Sequence, residues 1–187
     1  MDTFAKKIVM RKLKNEELGR KSIEEYKRAS KIPIVILLDN VRSLNNIGSI
    51  FRTADAFLIE AIYLCGITAK PPHKDIQKTA LGATESVEWK YFEDTIDAIK
   101  ESKKAGYKII IVEQIDKSIS LSEFYPEINA KYVFVFGNEI TGVDERLLTY
   151  GDKFVEIFQS GTKHSLNIAV SVGIVIWDIF NKQTGIK

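Results

Sequence analysis

The longest apolar run in the chain, residues 166–180, contains only Asn167 and Asp178 as strongly polar interruptions. Its pattern predicts a helix over 165–180 that is apolar on nearly every face. Such a helix has no polar side to show water and must be buried. The N–H donors of its first turn then need a cap or a ligand. The run is preceded by a strand-like stretch at 154–157 and by a small, polar, glycine-containing loop, 159–167. Ser165 and Asn167 at the entrance to a buried helix point to a binding site built on a rigid element.

A chain of 187 residues supports one compact domain with a substantial core, and two would be cramped. The 15-residue apolar run falls short of the roughly 20 residues needed to span a bilayer, which argues against a membrane helix. The basic N-terminus lacks a hydrophobic signal core. Cys65 is the single cysteine, which excludes an intrachain disulfide and fits a reducing cytoplasm. Net charge is only +2 but uneven: residues 1–31 hold ten Lys/Arg and five Asp/Glu, leaving 17 basic and 20 acidic residues elsewhere. A basic arm on a slightly acidic body can act as an electrostatic footprint for nucleic acid; the alternative is a solvated helix surface.

Residues 1–31 read as helix broken near Gly19, with Ser22-Ile23-Glu24-Glu25 at capping-box spacing. Residues 34–38 are a β-branched and aliphatic run, the pattern of a strand covered on both faces. Further strands are expected at 61–65, 87–91, 108–112, 132–136 and 154–157. Helices are expected at 47–57, 75–81, 94–105 and 144–148. The alternation argues for an α/β domain with a mostly parallel sheet and helices on both faces, spanning 32–187, with 1–31 as a basic helical extension.

Ligands of open parallel sheets bind at the carboxyl ends of strands. Polar and glycine residues collect there three times: at 39–52, at 137–142 and at 159–167. No G-x-G-x-x-G follows the first strand and no P-loop occurs. Two histidines and one cysteine are too few for a His/Cys zinc set. Ser165 lacks the G-x-S-x-G setting of a hydrolase nucleophile.

The three segments resemble the signature motifs of the SpoU (TrmH-like) family of SPOUT-class RNA methyltransferases. Asn46-Ile47-Gly48 with Arg52-Thr53-Ala54 resembles the first motif. Phe136-Gly137-Asn138-Glu139 with Gly142 resembles the second, and Ile157 through Ser165-Leu166-Asn167 the third. The resemblance covers roughly residues 33–181. Leu44 stands where the family often has proline, and Ile140-Thr141 where it often has glycine.

The resemblance implies a C-terminal trefoil knot that holds S-adenosyl-L-methionine, and a homodimer joined through the C-terminal helix. The sequence fits a helix central to a monomer core equally well. The implied reaction is methyl transfer to a ribose 2′-hydroxyl of tRNA or rRNA. Arg52, Asn46, Glu139, Ser165 and Asn167 are the implied catalytic residues. Arg52 would act as a base, or as a charged group holding a phosphate and stabilising alkoxide. Gln114, Gly137, Asn138, Gly142, Ile157, Phe158, Ser165, Leu166 and Asn167 would bind the cofactor. RNA would meet Arg52, His73 and the arm residues Lys6, Lys7, Arg11, Lys12 and Lys14. The competing readings are an RNA-binding protein of this fold without transferase activity, and a nucleotide-binding oxidoreductase disfavoured by the missing G-x-G-x-x-G.

Overall fold

The computed structural model describes residues 10–185. After a 3-10 turn at Asn15–Leu18 the chain runs α1 (Ile23–Arg28), β1 (Ile32–Asp39), α2 (Leu44–Ala56), β2 (Ile59–Cys65), α3 (Lys74–Ala80), α4 (Ala83–Ser86) and β3 (Glu88–Phe92). It continues through α5 (Thr95–Lys104), β4 (Tyr107–Val112), β5 (Ile119–Ser120), β6 (Lys131–Phe136), α6 (Glu145–Leu148), β7 (Lys153–Glu156) and α7 (Ile168–Thr184). The seven strands form one sheet in the order β3-β2-β1-β6-β4-β7-β5, and every pairing is parallel.

The continuous apolar pattern of β1 has the cause expected of it. Ile34, Ile36 and Leu38 point into a core shared with α1–α4 and α7. Val35 and Leu37 point into a second core covered by α5 and α6. Both faces of a central parallel strand are thus dry. Gly48 lets α2 and α3 approach closely: a Cβ there would lie 2.1 Å from Thr79 Oγ1 and 2.2 Å from the Ile76 carbonyl.

Three expectations change. Among the described residues, the N-terminal helix before Gly19 is reduced to the turn Asn15–Leu18. Met10, Leu13 and Leu18 lie exposed there, so no buried face offsets the cost of helix nucleation. Residues 1–9, with Lys6 and Lys7, lie outside the described residues. Second, α1 is fastened to the body rather than appended: Tyr26 is buried and its hydroxyl lies 3.4 Å from the carbonyls of Ala54 and Ile59. Third, α7 begins at Ile168, not at 165, because Asn167 caps it by accepting the Ala169 amide at 2.9 Å. One face of α7 is also uncovered. Val172, Val175, Ile176 and Ile179 are buried, while Val170, Ile174 and Trp177 remain 49%, 37% and 57% exposed.

Chain order reverses between β1 and β6, the kind of place where ligands of open parallel sheets bind at the carboxyl edge. No helix among the described residues is long and apolar enough to cross a membrane.

Candidate active site

Glu139, in the loop after β6, binds the loop after β1. Its Oε2 accepts the Arg42 amide and its Oε1 the Ser43 amide, each at 3.1 Å. Asn46 Nδ2 donates to the same Oε1 over a longer 3.5 Å. Asn46 Oδ1 accepts in turn from Asn167 Nδ2 at 3.1 Å. One hydrogen-bond chain therefore links the three polar loops through Glu139, Asn46 and Asn167. Burial alone would raise the Glu139 carboxyl, but the amides of Arg42, Glu139 itself and Ser43 and the Asn46 side chain together hold it below the ordinary carboxylate range. It is an anion at neutral pH, able to accept and unable to donate.

The loop after β6 is a closed turn. Asn138 and Gly142 exchange two backbone hydrogen bonds of 2.9 Å, and Gly142 takes φ +71°, which favours glycine. A Cβ at Gly137 would lie 2.1 Å from the backbone of Gly142 and Val143. The Asn138 side chain is engaged within the protein: Oδ1 accepts the Ile140 amide and Nδ2 donates to the Asn40 carbonyl. Its side chain and its backbone N–H are thus both spent on holding the turn.

Beside this chain of contacts opens a cleft of about 510 Å³, within the range of small-molecule sites. Gln114, Gly137, Asn138, Glu139, Gly142, Ile157, Ser165 and Leu166 all line it. Phe158 does not, and is 78% exposed. In extended backbone Ile157 and Gln159 face the cleft, so the residue between them faces away. Asn46 and Asn167 do not line it, the latter against expectation; their side chains join two of the loops.

Arg52 is exposed on α2 and lines a separate depression with Ser49, Thr53, Phe57, Lys78 and Thr79. No hydrogen bond joins it to Glu139, Asn46 or Asn167 among the described residues; Glu139 anchors the loop after β1 instead. Six residues on from Asn46 is about one and two-thirds helical turns, which sets the two side chains a third of a turn apart. His73 is exposed, and its Nδ1 accepts the Asp75 amide to cap α3 at 3.2 Å. Arg11 pairs in bidentate fashion with Glu17 at 2.9 and 2.6 Å, and Lys12 and Lys14 are exposed.

Sequence reasoning missed Glu113. Its carboxylate accepts the amides of Val143 at 3.0 Å and Gln114 at 2.9 Å, joining the loops after β4 and β6. A Cβ on Gly142 would come within 2.3 Å of Glu113 Oε2, so the glycine makes room for the carboxylate. Its signal was its place next to Gln114 at a strand's carboxyl end. Apolar Val112, Ile157 and Leu166 with the carboxylates of Glu113, Glu145 and Glu156 give a lining suited to a flat aromatic molecule that carries positive charge.

Residues 33–177 match the SpoU rRNA Methylase family. A tRNA (guanosine(18)-2'-O)-methyltransferase of Aquifex aeolicus is 26% identical over 162 residues, covering 84% of this chain and 74% of that protein. A 23S rRNA (guanosine-2'-O-)-methyltransferase of Neisseria meningitidis is 28% identical over 147 residues, 79% of this chain but only 58% of that protein. Among solved structures, an AdoMet-bound rRNA methyltransferase from Sinorhizobium meliloti superimposes with a TM-score of 0.73 at 25% identity, covering 84% of this chain and 58% of the other. With the matched region spanning all three loops and the sheet that carries them, the chain belongs to the SpoU rRNA Methylase family.

Proposed function

We propose that the protein transfers the methyl group of S-adenosylmethionine to a ribose 2′-hydroxyl of tRNA or rRNA. The observation that carries this reading is the Glu139–Asn46–Asn167 hydrogen-bond chain at the edge of the cleft. S-adenosylmethionine supplies an electrophilic methyl group on a cationic sulfur. The cleft fits it: apolar Ile157 and Leu166 suit an adenine, and the backbone of Gly137 lies open beside them. Gln114 and Ser165 offer polar side chains, and Glu113 and Glu156 favour positive charge. Asn46, Glu139 and Asn167 fix the loops; Arg52 holds an RNA phosphate and stabilises the developing alkoxide. Its guanidinium, with a pKa above about 12, is better suited to that task than to taking a proton.

The active form is a homodimer. Val170, Ile174 and Trp177 recur at one helical stripe of α7 and leave an apolar face open, which supports a second copy as its cover. Trp177→Glu then halves the mass measured by light scattering, and an unchanged mass would rule out this face. The trefoil knot rests on the path of the chain. Residues 113–130 leave β4, pair as β5 beyond β7 and return to β6, while the segment from β7 crosses back to pack α7 on α2. The protein acts in the cytoplasm, where a reduced Cys65 is expected; that thiol is buried, and burial pushes it up to about 12.

Nucleoside mass spectrometry of tRNA and rRNA from cells with and without the gene tests the activity. Loss of one 2′-O-methylated nucleoside is expected. Identical nucleoside profiles would favour an RNA-binding protein of this fold that transfers no methyl group.

A further inference from the structure

Between α2 and α3 lies a second concavity, about 500 Å³ and separate from the cleft, in which Arg52 and Lys78 are the two charged residues. Three hydroxyls share it, and all three point their hydrogens inward. Ser49 donates to the Asn45 carbonyl at 2.9 Å, Thr53 to the Ser49 carbonyl at 3.1 Å and Thr79 to the Asn45 carbonyl at 3.0 Å. The hydroxyls are thus engaged with backbone carbonyls, and Arg52 and Lys78 are the groups that bring positive charge to an anion entering the depression. Phe57 closes one side, braced by Phe180 at a ring separation of 5.2 Å. The walls are fixed because Gly48 allows α2 and α3 to touch.

We propose that Lys78, together with Arg52, binds a backbone phosphate of the RNA substrate in this depression, and so positions the strand for the reaction. The proposal rests on the RNA methyltransferase reading of the neighbouring cleft. In the free protein Lys78 is held by Asp75 at 2.7 Å, with side chains 59% and 42% exposed. An exposed pair of this kind contributes little and is screened by salt. Phosphate replaces Asp75 as the partner of the ammonium, and Asp75 acts as a brake on RNA affinity.

The test measures binding of an unmodified tRNA transcript by fluorescence anisotropy between 50 and 200 mM salt, beside S-adenosylmethionine binding by calorimetry. Lys78→Ala is expected to weaken RNA binding about fivefold and to flatten the slope of log K against log salt by about 0.7–0.9, the loss of one phosphate contact. Lys78→Arg keeps the slope, and Asp75→Asn tightens binding. Where transfer is measured, Lys78→Ala raises KM for RNA more than it lowers kcat. An unchanged slope in Lys78→Ala, or no tightening in Asp75→Asn, overturns the proposal. The anisotropy arm reads Lys78 without turnover, whereas failure of the wild type to bind S-adenosylmethionine would instead overturn the reading of the cleft.

Discussion

Replacing Glu139 should loosen the loops on which the site depends. The carboxylate accepts two amides at 3.1 Å and a side-chain amide at 3.5 Å. Hydrogen bonds to a charged group contribute about 1.5–3 kcal/mol each when well buried. Water reaches Glu139, so a discounted figure of about 1 kcal/mol for each of the two short bonds is appropriate, and Glu139→Ala should cost about 2 kcal/mol. For a chain of this size that lowers Tm by about 4–8 °C. Glu139→Gln keeps one acceptor oxygen and should lose about half as much. Because the folded carboxyl is held below the ordinary range, its charged-state contribution is complete above the unfolded value of about 4.5 and is lost as pH falls through the folded value. Urea titrations should therefore show a constant gap between wild type and Glu139→Gln from pH 6 to 8, narrowing below pH 4.5. Equal stability of the two proteins at pH 7, or a gap that widens in acid, would refute the reasoning.

Other perturbations separate packing from chemistry. Gly48→Ala drives a methyl group against Thr79 Oγ1 and the Ile76 carbonyl, and should cost about 2 kcal/mol in urea unfolding; adding Thr79→Ala, which removes Oγ1, should not restore it, because the carbonyl remains. Arg52→Lys should lower single-turnover methyl transfer at least about tenfold, since an ammonium cannot reproduce the bidentate fork, while calorimetry shows S-adenosylmethionine affinity intact. Removing residues 1–20 should weaken RNA binding and flatten its salt dependence with the melting temperature nearly kept. Removing 1–31 should also destabilise the fold, because it deletes the buried Tyr26.

Legibility in the sequence followed how local the cause was. β1 could be read because each residue from Ile34 to Leu38 answers to one of two cores. The loops with Asn46, Glu139 and Asn167 could be found because a parallel sheet brings strand ends to one edge. Their linkage could not, since it depends on side chains 93 and 121 positions apart meeting in space. The sequence pattern starts α7 at Ser165 because both Ser165 and Asn167 are good caps, and only backbone geometry selects Asn167. The all-round apolar character of α7 is legible, but a sequence does not say which of its faces packs on its own sheet and which stays uncovered. β5, two residues long, carries too little periodicity to be seen. Glu113 gives no more signal than any carboxylate at a strand end until Gly142 is seen beside it.

Methyl transfer to a ribose by this cleft is open to direct measurement. Purified protein, S-adenosylmethionine with a labelled methyl group and unmodified tRNA and rRNA transcripts test it directly, with nuclease digestion and chromatography of the labelled nucleoside. Label is expected in one 2′-O-methylated nucleoside of one RNA, abolished by Arg52→Ala and strongly reduced by Asn46→Ala. Label on a base rather than on ribose, or transfer that survives Arg52→Ala undiminished, would contradict it.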